Sequence, residues 1–202
     1  MRTRAFGVGQ ECPKDNCSAA ARLCSVVTAK QLGAGPGSVK DTEKGGKFGT
    51  KLLRIVQKIQ SIPSTERILV FVQFPDLMQK VADALDDAGI KALQVKGSVY
   101  QKTGALDQFQ VDEELKKGDP RVLMLNLKDE SASGANLTTA NHAIFVHPLL
   151  TTNQQEFEAC EVQAIGRIRR YGQSRTVHLY RFLASDTMDT EIYEQRVVNA
   201  PS

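Results

Sequence analysis

The chain has 202 residues, of which 41% are hydrophobic and 24% charged. These values are close to those of globular proteins, so wholesale disorder is excluded. No stretch reaches the roughly eighteen consecutive apolar residues that a membrane-spanning helix needs, and the basic N-terminus has no apolar stretch behind it. We therefore expect an intracellular, soluble chain with no secretory signal and no membrane partner. A formal charge of +3 is too small to identify a nucleic-acid-binding protein by itself.

Residues 1–46 differ from the rest of the chain. They hold three of the four cysteines and a Gly-rich stretch at 33–46, which has the composition of a linker or mobile loop. Cys12, Cys17 and Cys24 could be the remnant of a zinc module. Zinc usually takes four ligands, however, and three thiols without a nearby histidine supply only part of such a set. Reduced, unligated thiols are the favoured interpretation, and zinc is the alternative.

From residue 47 to residue 198 the sequence alternates between helical and strand-like patterns, which predicts one domain over 47–198. Helices are predicted at 48–59, 76–88, 101–117, 153–170 and 187–198, and strands at 67–73, 92–95, 121–127, 143–146 and 176–182. This order indicates an α/β fold with a mostly parallel sheet and helices on both faces. In such sheets ligands bind beyond the carboxyl ends of the strands. The loops of interest are therefore 73–76, 96–100, 126–138 and 147–153.

The most informative stretch is 163–173, which reads Gln-Ala-Ile-Gly-Arg-Ile-Arg-Arg-Tyr-Gly-Gln. It places Arg167, Arg169 and Arg170 within four residues, and no Asp or Glu occurs in 163–184. Guanidinium groups bind phosphates through planar, bidentate hydrogen bonds. Arg167 and Arg170 are three positions apart, so they would share one face of the predicted helix and address the same polyanion. A solvated basic face is the alternative interpretation.

This stretch and other segments in the same order resemble the motifs of the second RecA-like lobe in the Swi/Snf family of superfamily-two DNA-dependent ATPases. The segments are 68–74, which reads Ile-Leu-Val-Phe-Val-Gln-Phe, Val95-Lys-Gly97-Ser98, Ser133-Gly-Ala-Asn136-Leu-Thr138 with 141–148, the stretch 163–173, and 177–183 with 187–192. The resemblance covers roughly residues 48–196. After Lys128 the two adjacent glycines usual in the family are missing and the loop is one residue longer, which indicates a divergent branch.

The resemblance implies a RecA-like fold and a nucleotide site. Arg167 and Arg170 would be arginine fingers, which stabilise the charge on the γ-phosphate while ATP is hydrolysed. Gln163, Gly134 and Asn136 would belong to the ATP-binding residues, and Gln163 would help couple closure of the cleft to the nucleotide. We expect the two arginines to face the carboxyl edge of the sheet, and a pair that points away from this edge would overturn the motor interpretation.

The resemblance also implies contacts to the backbone of double-stranded DNA. The residues concerned are Lys96, Gly97, Ser98, Ser131 and Ser133. Backbone amides, hydroxyls and an ammonium group are suited to phosphates, and such contacts position a protein without reading the base sequence.

ATP hydrolysis further needs a phosphate-binding loop, a Mg²⁺ ligand and a base for water. The glycines at 33–40 lack the Gly-Lys-Ser/Thr ending, and Asp129-Glu130 fits the second-lobe motif better than an acidic box. We therefore expect ATP with Mg²⁺ to be shared with a first RecA-like lobe, in the same longer chain or in another chain. The isolated chain should not hydrolyse ATP. The alternative is a lobe that no longer takes part in ATP-driven translocation and instead binds nucleic acid or protein. A nuclear location follows from the resemblance alone.

Overall fold

The structure, a computed structural model, describes residues 10–11, 20–21, 47–111, 115–116, 118–128 and 134–198. The chain divides into two compact units, Met1–Gly49 and Thr50–Ser202. In the first unit the described backbone forms two short antiparallel strands, β1 (Gln10–Glu11) and β2 (Ala20–Ala21). The predicted boundary between residues 46 and 47 stays a prediction. The possible zinc ligands Cys12, Cys17 and Cys24 lie outside the described residues.

The second unit contains one five-stranded sheet and the helices that connect its strands. The strands are β3 (Arg67–Val72), β4 (Ala92–Gln94), β5 (Val122–Asn126), β6 (Ala140–Phe145) and β7 (His178–Arg181). The helices are α1 (Thr50–Ser61), α2 (Pro75–Asp87), α3 (Val99–Gln110), α4 (Gln154–Gly166) and α5 (Met188–Tyr193), followed by a π-helical turn at Glu194–Val198. All strand pairs are parallel, in the order β4-β5-β3-β6-β7. The predicted α/β fold is confirmed.

The central strand β3 is buried on both of its faces. Residues 68–72 are all fully buried, as expected from their run of apolar side chains. Leu69 and Phe71 pack with Phe109 of α3 and Phe157 of α4 in one hydrophobic cluster. The intervening side chains of β3 point to the opposite face, because neighbouring residues of a strand alternate. On that face α1 and α2 contribute their own buried apolar residues. The sheet is therefore covered by helices on both faces.

Arg121, just before β5, closes the C-terminal end of α1. Its Nη1 donates hydrogen bonds to the carbonyl oxygens of Ile62 at 3.0 Å and Pro63 at 2.8 Å, and its Nη2 donates to that of Ile59 at 2.7 Å. The last carbonyls of a helix have no partner within the helix, so a guanidinium fork suits this position. Partial burial lowers the pKa of Arg121.

The helix predicted at 101–117 is displaced. In the structure α3 begins at Val99 and ends at Gln110. Its early start comes from Ser98, whose hydroxyl accepts a hydrogen bond from the backbone N–H of Gln101, while the Gln101 side chain accepts one from the N–H of Ser98. Across the part of the chain that the structure describes, every helix is too short or too polar to cross a membrane.

Candidate functional site

The arginine-rich segment after α4 lies at the amino edge of the sheet. Helix α4 leaves the carboxyl end of β6 and runs back, because the next parallel strand must begin at the amino edge. The side chain of Gln173 marks the position, since its Nε2 donates a hydrogen bond to the carbonyl oxygen of Ala140, the first residue of β6, at 2.7 Å. The expectation that Arg167 and Arg170 face the carboxyl edge is therefore wrong.

Arg167 and Arg170 do not share a helical face. Helix α4 ends at Gly166, and the carbonyl oxygen of Arg167 accepts a hydrogen bond at 2.9 Å from the N–H of Leu137. At the end of the helix, the carbonyl oxygen of Arg167 is therefore bonded to another segment of the chain. Arg167 is only 4% exposed, whereas Arg170 is exposed and its Nη1 donates to the carbonyl oxygen of Gly134 at 2.9 Å. The prediction of one helix through residue 170 is wrong, and the two guanidinium groups have different surroundings.

Two further side chains of the same segment reach the same loop. Nε2 of Gln173 donates to the carbonyl oxygens of Thr138 at 3.1 Å and Ile168 at 3.2 Å, in addition to Ala140. Nη2 of Arg175 donates to the carbonyl oxygens of Thr138 and Thr139. We call the contacts of Arg170, Gln173 and Arg175 with the carbonyl oxygens of segment 134–140 the carbonyl clamp. Sequence reasoning placed Gln173 in a motif but gave no sign of this role, because its partners lie more than thirty positions away.

The remaining predicted nucleotide residues lie near the clamp in sequence. Gly134 has a φ of +91°, a conformation that glycine adopts without strain. Asn136 is exposed, and its carbonyl oxygen accepts a hydrogen bond from Nε2 of Gln110 at 2.7 Å. Gln163 is exposed on α4, one turn before Arg167. The structure thus brings Gly134 and Arg170 into direct contact.

The predicted DNA-contacting turn lies at the opposite edge of the sheet, beyond the carboxyl end of β4. Gly97 has a φ of +88°, and a Cβ atom there would lie 2.1 Å from Oε1 of Gln101. The Ser98 hydroxyl caps α3 and is exposed. Nζ of Lys96 donates to Oε1 of Gln79 at 2.8 Å and is also exposed. This turn is preorganised and accessible to solvent.

Ser131 and Ser133, the other predicted DNA contacts, lie outside the described residues. Within the described ranges, no group of three metal-ligating side chains comes together. A cleft of about 440 Å³ between α2 and β4 is lined by Asp83, Asp86 and Lys91 among others, and it contains none of the predicted site residues.

At the carboxyl edge, a buried glutamine joins β3 to the loop after β6. The amide group of Gln73 donates to the carbonyl oxygen of Leu150 at 2.7 Å and accepts from the N–H of Leu150 at 2.8 Å. The backbone N–H of Gln73 donates to Nε2 of His147 at 3.1 Å. Burial lowers the pKa of His147, which keeps the ring neutral and Nε2 able to accept. His147 is therefore structural.

At the amino edge, a polar array links β3, β6 and β7. Nε2 of the buried His142 contacts a carboxylate oxygen of Glu66, and the hydroxyl of Tyr180 lies 3.3 Å from Nδ1 of the same ring. Burial lowers the pKa of His142 and outweighs the opposite effect of Glu66, while the hydrogen bond from His142 lowers the pKa of Glu66. The ring is therefore neutral, with Nε2–H donating to the carboxylate and Nδ1 accepting from Tyr180.

Comparison with known proteins finds relatives that act on DNA. No family model matches the chain. It is 42% identical to the DNA (cytosine-5-)-methyltransferase DMT5 of Cryptococcus neoformans var. grubii, over 96% of this chain and 8% of that protein. It is 33% identical to the DNA repair protein RAD5 of Yarrowia lipolytica, over 75% of this chain and 14% of that protein. The chain therefore spans a small part of the curated relatives it matches.

A solved structure with the same fold is the C-terminal part of the Fun30 ATPase domain. Its TM-score is 0.62 at 20% identity, over 79% of this chain and 48% of that one. At this identity the likeness establishes the fold, which is the five-stranded parallel sheet described above. The relatives supply the family. Taken together with the ordered motifs, they show that the chain belongs to the Swi/Snf family of superfamily-two helicase-like proteins and forms a second RecA-like lobe.

Proposed function

We propose that the chain is the second motor lobe of an ATP-dependent DNA translocase and supplies an arginine to a nucleotide held by a first RecA-like lobe. One observation carries this proposal. Arg170 is exposed on the turn after α4, and its guanidinium contacts the carbonyl oxygen of Gly134. A phosphate oxygen is a stronger partner for a guanidinium group than a neutral carbonyl is, so a polyphosphate at this edge would take the contact over.

The arginines fail the criterion of facing the carboxyl edge, so the proposal requires that this criterion not apply to a ligand held by another lobe. The rule that ligands lie beyond the carboxyl ends of the strands concerns ligands held by the sheet itself. Here ATP and Mg²⁺ would be held by the other lobe, and this chain would contribute only side chains that complete the site. Gln163, Gly134 and Asn136 are the neighbours from which further contacts would come. Arg167 is buried, and its side chain would have to turn outward to join Arg170.

Contacts to double-stranded DNA would come from the opposite edge. Lys96, Gly97 and Ser98 present an ammonium group, a backbone amide and a hydroxyl on an exposed turn. Ser131 and Ser133 would add hydroxyl groups. Such groups suit phosphates. DNA is the polymer named for the relatives in methylation and repair, and this supports double-stranded DNA as the partner and the nucleus as the location.

The proposal is tested in a protein that carries this lobe joined to a first lobe. Arg170→Ala should abolish DNA-stimulated ATP turnover, because an arginine finger contributes about 10³–10⁵ in rate. The circular dichroism spectrum should not change, since Arg170 is exposed. Arg54→Ala, which removes an exposed arginine on α1, is the matched control and should keep wild-type turnover. Wild-type turnover in Arg170→Ala would remove Arg170 from the mechanism.

The same experiment separates the second candidate, a lobe that binds nucleic acid or protein without motor work. The burial of Arg167 favours that candidate, because only one of the two expected arginines is presented to a ligand. The longer protein would then bind DNA without hydrolysing ATP.

A further inference from the structure

We infer that Gln173 is a positioning residue: its side-chain amide fixes the turn that carries Arg170 to segment 134–140, so that the two move as one body. The contacts themselves are independent of the proposed function, but their consequence for ATP turnover rests on it. Gln173 would touch neither nucleotide nor DNA and would act through Arg170.

The side chain of Gln173 lies between two parts of the chain. Its Nε2 donates to Thr138 and Ala140, where the chain enters β6, and to Ile168, just beyond α4. Ile168 is fully buried, so the turn is anchored in the hydrophobic core at that point. A single amide group therefore links the entry of β6 to the exit of α4.

A closed ring of contacts includes Arg170. The backbone N–H of Gln173 donates to the carbonyl oxygen of Arg170 at 3.0 Å, closing a turn in which Gly172 has a φ of +96°. The Arg170 side chain in turn donates to Gly134. Leu137, three residues after Gly134, donates its N–H to the carbonyl oxygen of Arg167, three residues before Arg170. Segments 134–137 and 167–170 are thus joined by two hydrogen bonds, so a displacement of Gly134 would move Arg170.

The hydrogen-bonding partners at this position suit a glutamine. They comprise three carbonyl oxygens, which share the two hydrogens of Nε2, and the N–H of Arg175, which donates to Oε1 of Gln173 at 3.1 Å. A primary amide supplies both functions in one planar group. Glutamate has the same shape but would place an anionic oxygen against carbonyl oxygens. Asparagine keeps the amide but is shorter by one methylene group.

The first test measures local hydrogen exchange in the 202-residue chain itself. Gln173→Glu and Gln173→Asn should raise exchange at the backbone N–H of Leu137 by roughly tenfold or more, because the amide of Gln173 joins Thr138 to Ile168, the neighbours of the two residues in this hydrogen bond. Exchange at Leu127, which donates to Val72 in the sheet, should not change. The control is Gln155→Glu, the same change at an exposed position of α4. Wild-type exchange at Leu137 in both variants would overturn the inference.

The second test uses the protein with both lobes and compares ATP turnover with and without DNA. Loss of a positioning residue should lower kcat in both Gln173 variants, leave KM for ATP within about twofold, and reduce the fold-stimulation by DNA. A purely structural role would lower the melting temperature and leave that ratio unchanged, and such a result would overturn the inference. If the wild-type protein does not hydrolyse ATP, the proposed function fails, while the exchange measurement still decides the role of Gln173.

Discussion

Arg170 and Gly134 are 36 positions apart in the sequence, and the guanidinium of the first donates a 2.9 Å hydrogen bond to the carbonyl oxygen of the second. This contact joins two segments that match separate motifs of the family. It also sets a condition on function. A ligand that binds the guanidinium of Arg170 would displace the carbonyl oxygen of Gly134 from this hydrogen bond. Ligand binding at one segment would therefore change the contacts of the other.

The backbone of Gly134 provides a stability prediction. Gly134→Ala should lower the free energy of unfolding by about 1–2 kcal/mol, because a residue with a Cβ atom is strained at a positive φ. A Cβ atom there would meet no other atom within 4 Å, so the effect would be one of backbone strain alone. Urea denaturation measures it. Gly166→Ala is the control: its site is equally open but lies at the end of α4 without a positive φ, and it should cause no loss. Equal effects in both variants would contradict this account.

Arg121 provides a second stability prediction. Arg121→Ala should cost about 2 kcal/mol or more, because three carbonyl oxygens at the end of α1 would lose a charged donor. Arg121→Lys should recover only part of this loss, since an ammonium group lacks the planar fork. The midpoint of urea unfolding measures both variants, and Arg54→Ala provides a control for loss of an exposed arginine. Full recovery by lysine would show that charge alone matters.

The sequence was sufficient for those parts of the fold that depend on local patterns. The apolar run of β3, the helical spacing of α1 and the glycine stop after α2, where Gly89 has a φ of +71°, all appear as predicted. The end of α4 differs from the prediction, and the carbonyl oxygen of Arg167 just beyond it bonds Leu137, thirty residues earlier. No local pattern carries that information.

The edge at which the arginines lie was missed for a different reason. The rule about carboxyl ends holds for loops that follow strands, whereas a crossover helix returns the chain to the amino edge. The burial of Arg167 beside the exposure of Arg170 likewise follows from the broken helix, since an unbroken helix would have placed both on one face. The contacts of Gln173 could not be predicted from the sequence, because Thr138 and Ala140 lie beside Gln173 only in the folded chain.

The buried histidines predict how stability depends on pH. Burial lowers the pKa of both His142 and His147 in the folded chain. The unfolded chain therefore binds more protons as the pH falls below the ordinary histidine value of about 6.5, and stability is lost over the interval down to the lowered folded values. The lowered pKa of Glu66 adds a further loss at more acidic pH.

Urea unfolding at pH 7 and pH 5 checks this expectation. The free energy of unfolding should fall between the two values, and the fall should be smaller in His147→Gln, which no longer has an imidazole to protonate. Gln155→Ala, a change at an exposed position of α4, provides the control and should keep the wild-type dependence on pH. A stability that rises toward pH 5 would mean that the chain takes up protons on folding, which is the opposite of what two buried, neutral rings require.

The proposed DNA edge makes a prediction about salt. Each phosphate contact that is lost should reduce the slope of log Kobs against log salt concentration by about 0.9 for duplex DNA, because fewer counterions are released. Lys96→Ala should therefore weaken binding and flatten this slope, with little dependence on base sequence.

The control is Lys91→Ala, which removes an exposed lysine from the other end of the same strand, β4. It should leave the slope unchanged, because Lys91 lies at the amino edge. A titration by fluorescence anisotropy at several salt concentrations measures both variants. If Lys91→Ala flattens the slope and Lys96→Ala does not, DNA lies along the amino edge, and the Lys96–Ser98 turn serves only to begin α3.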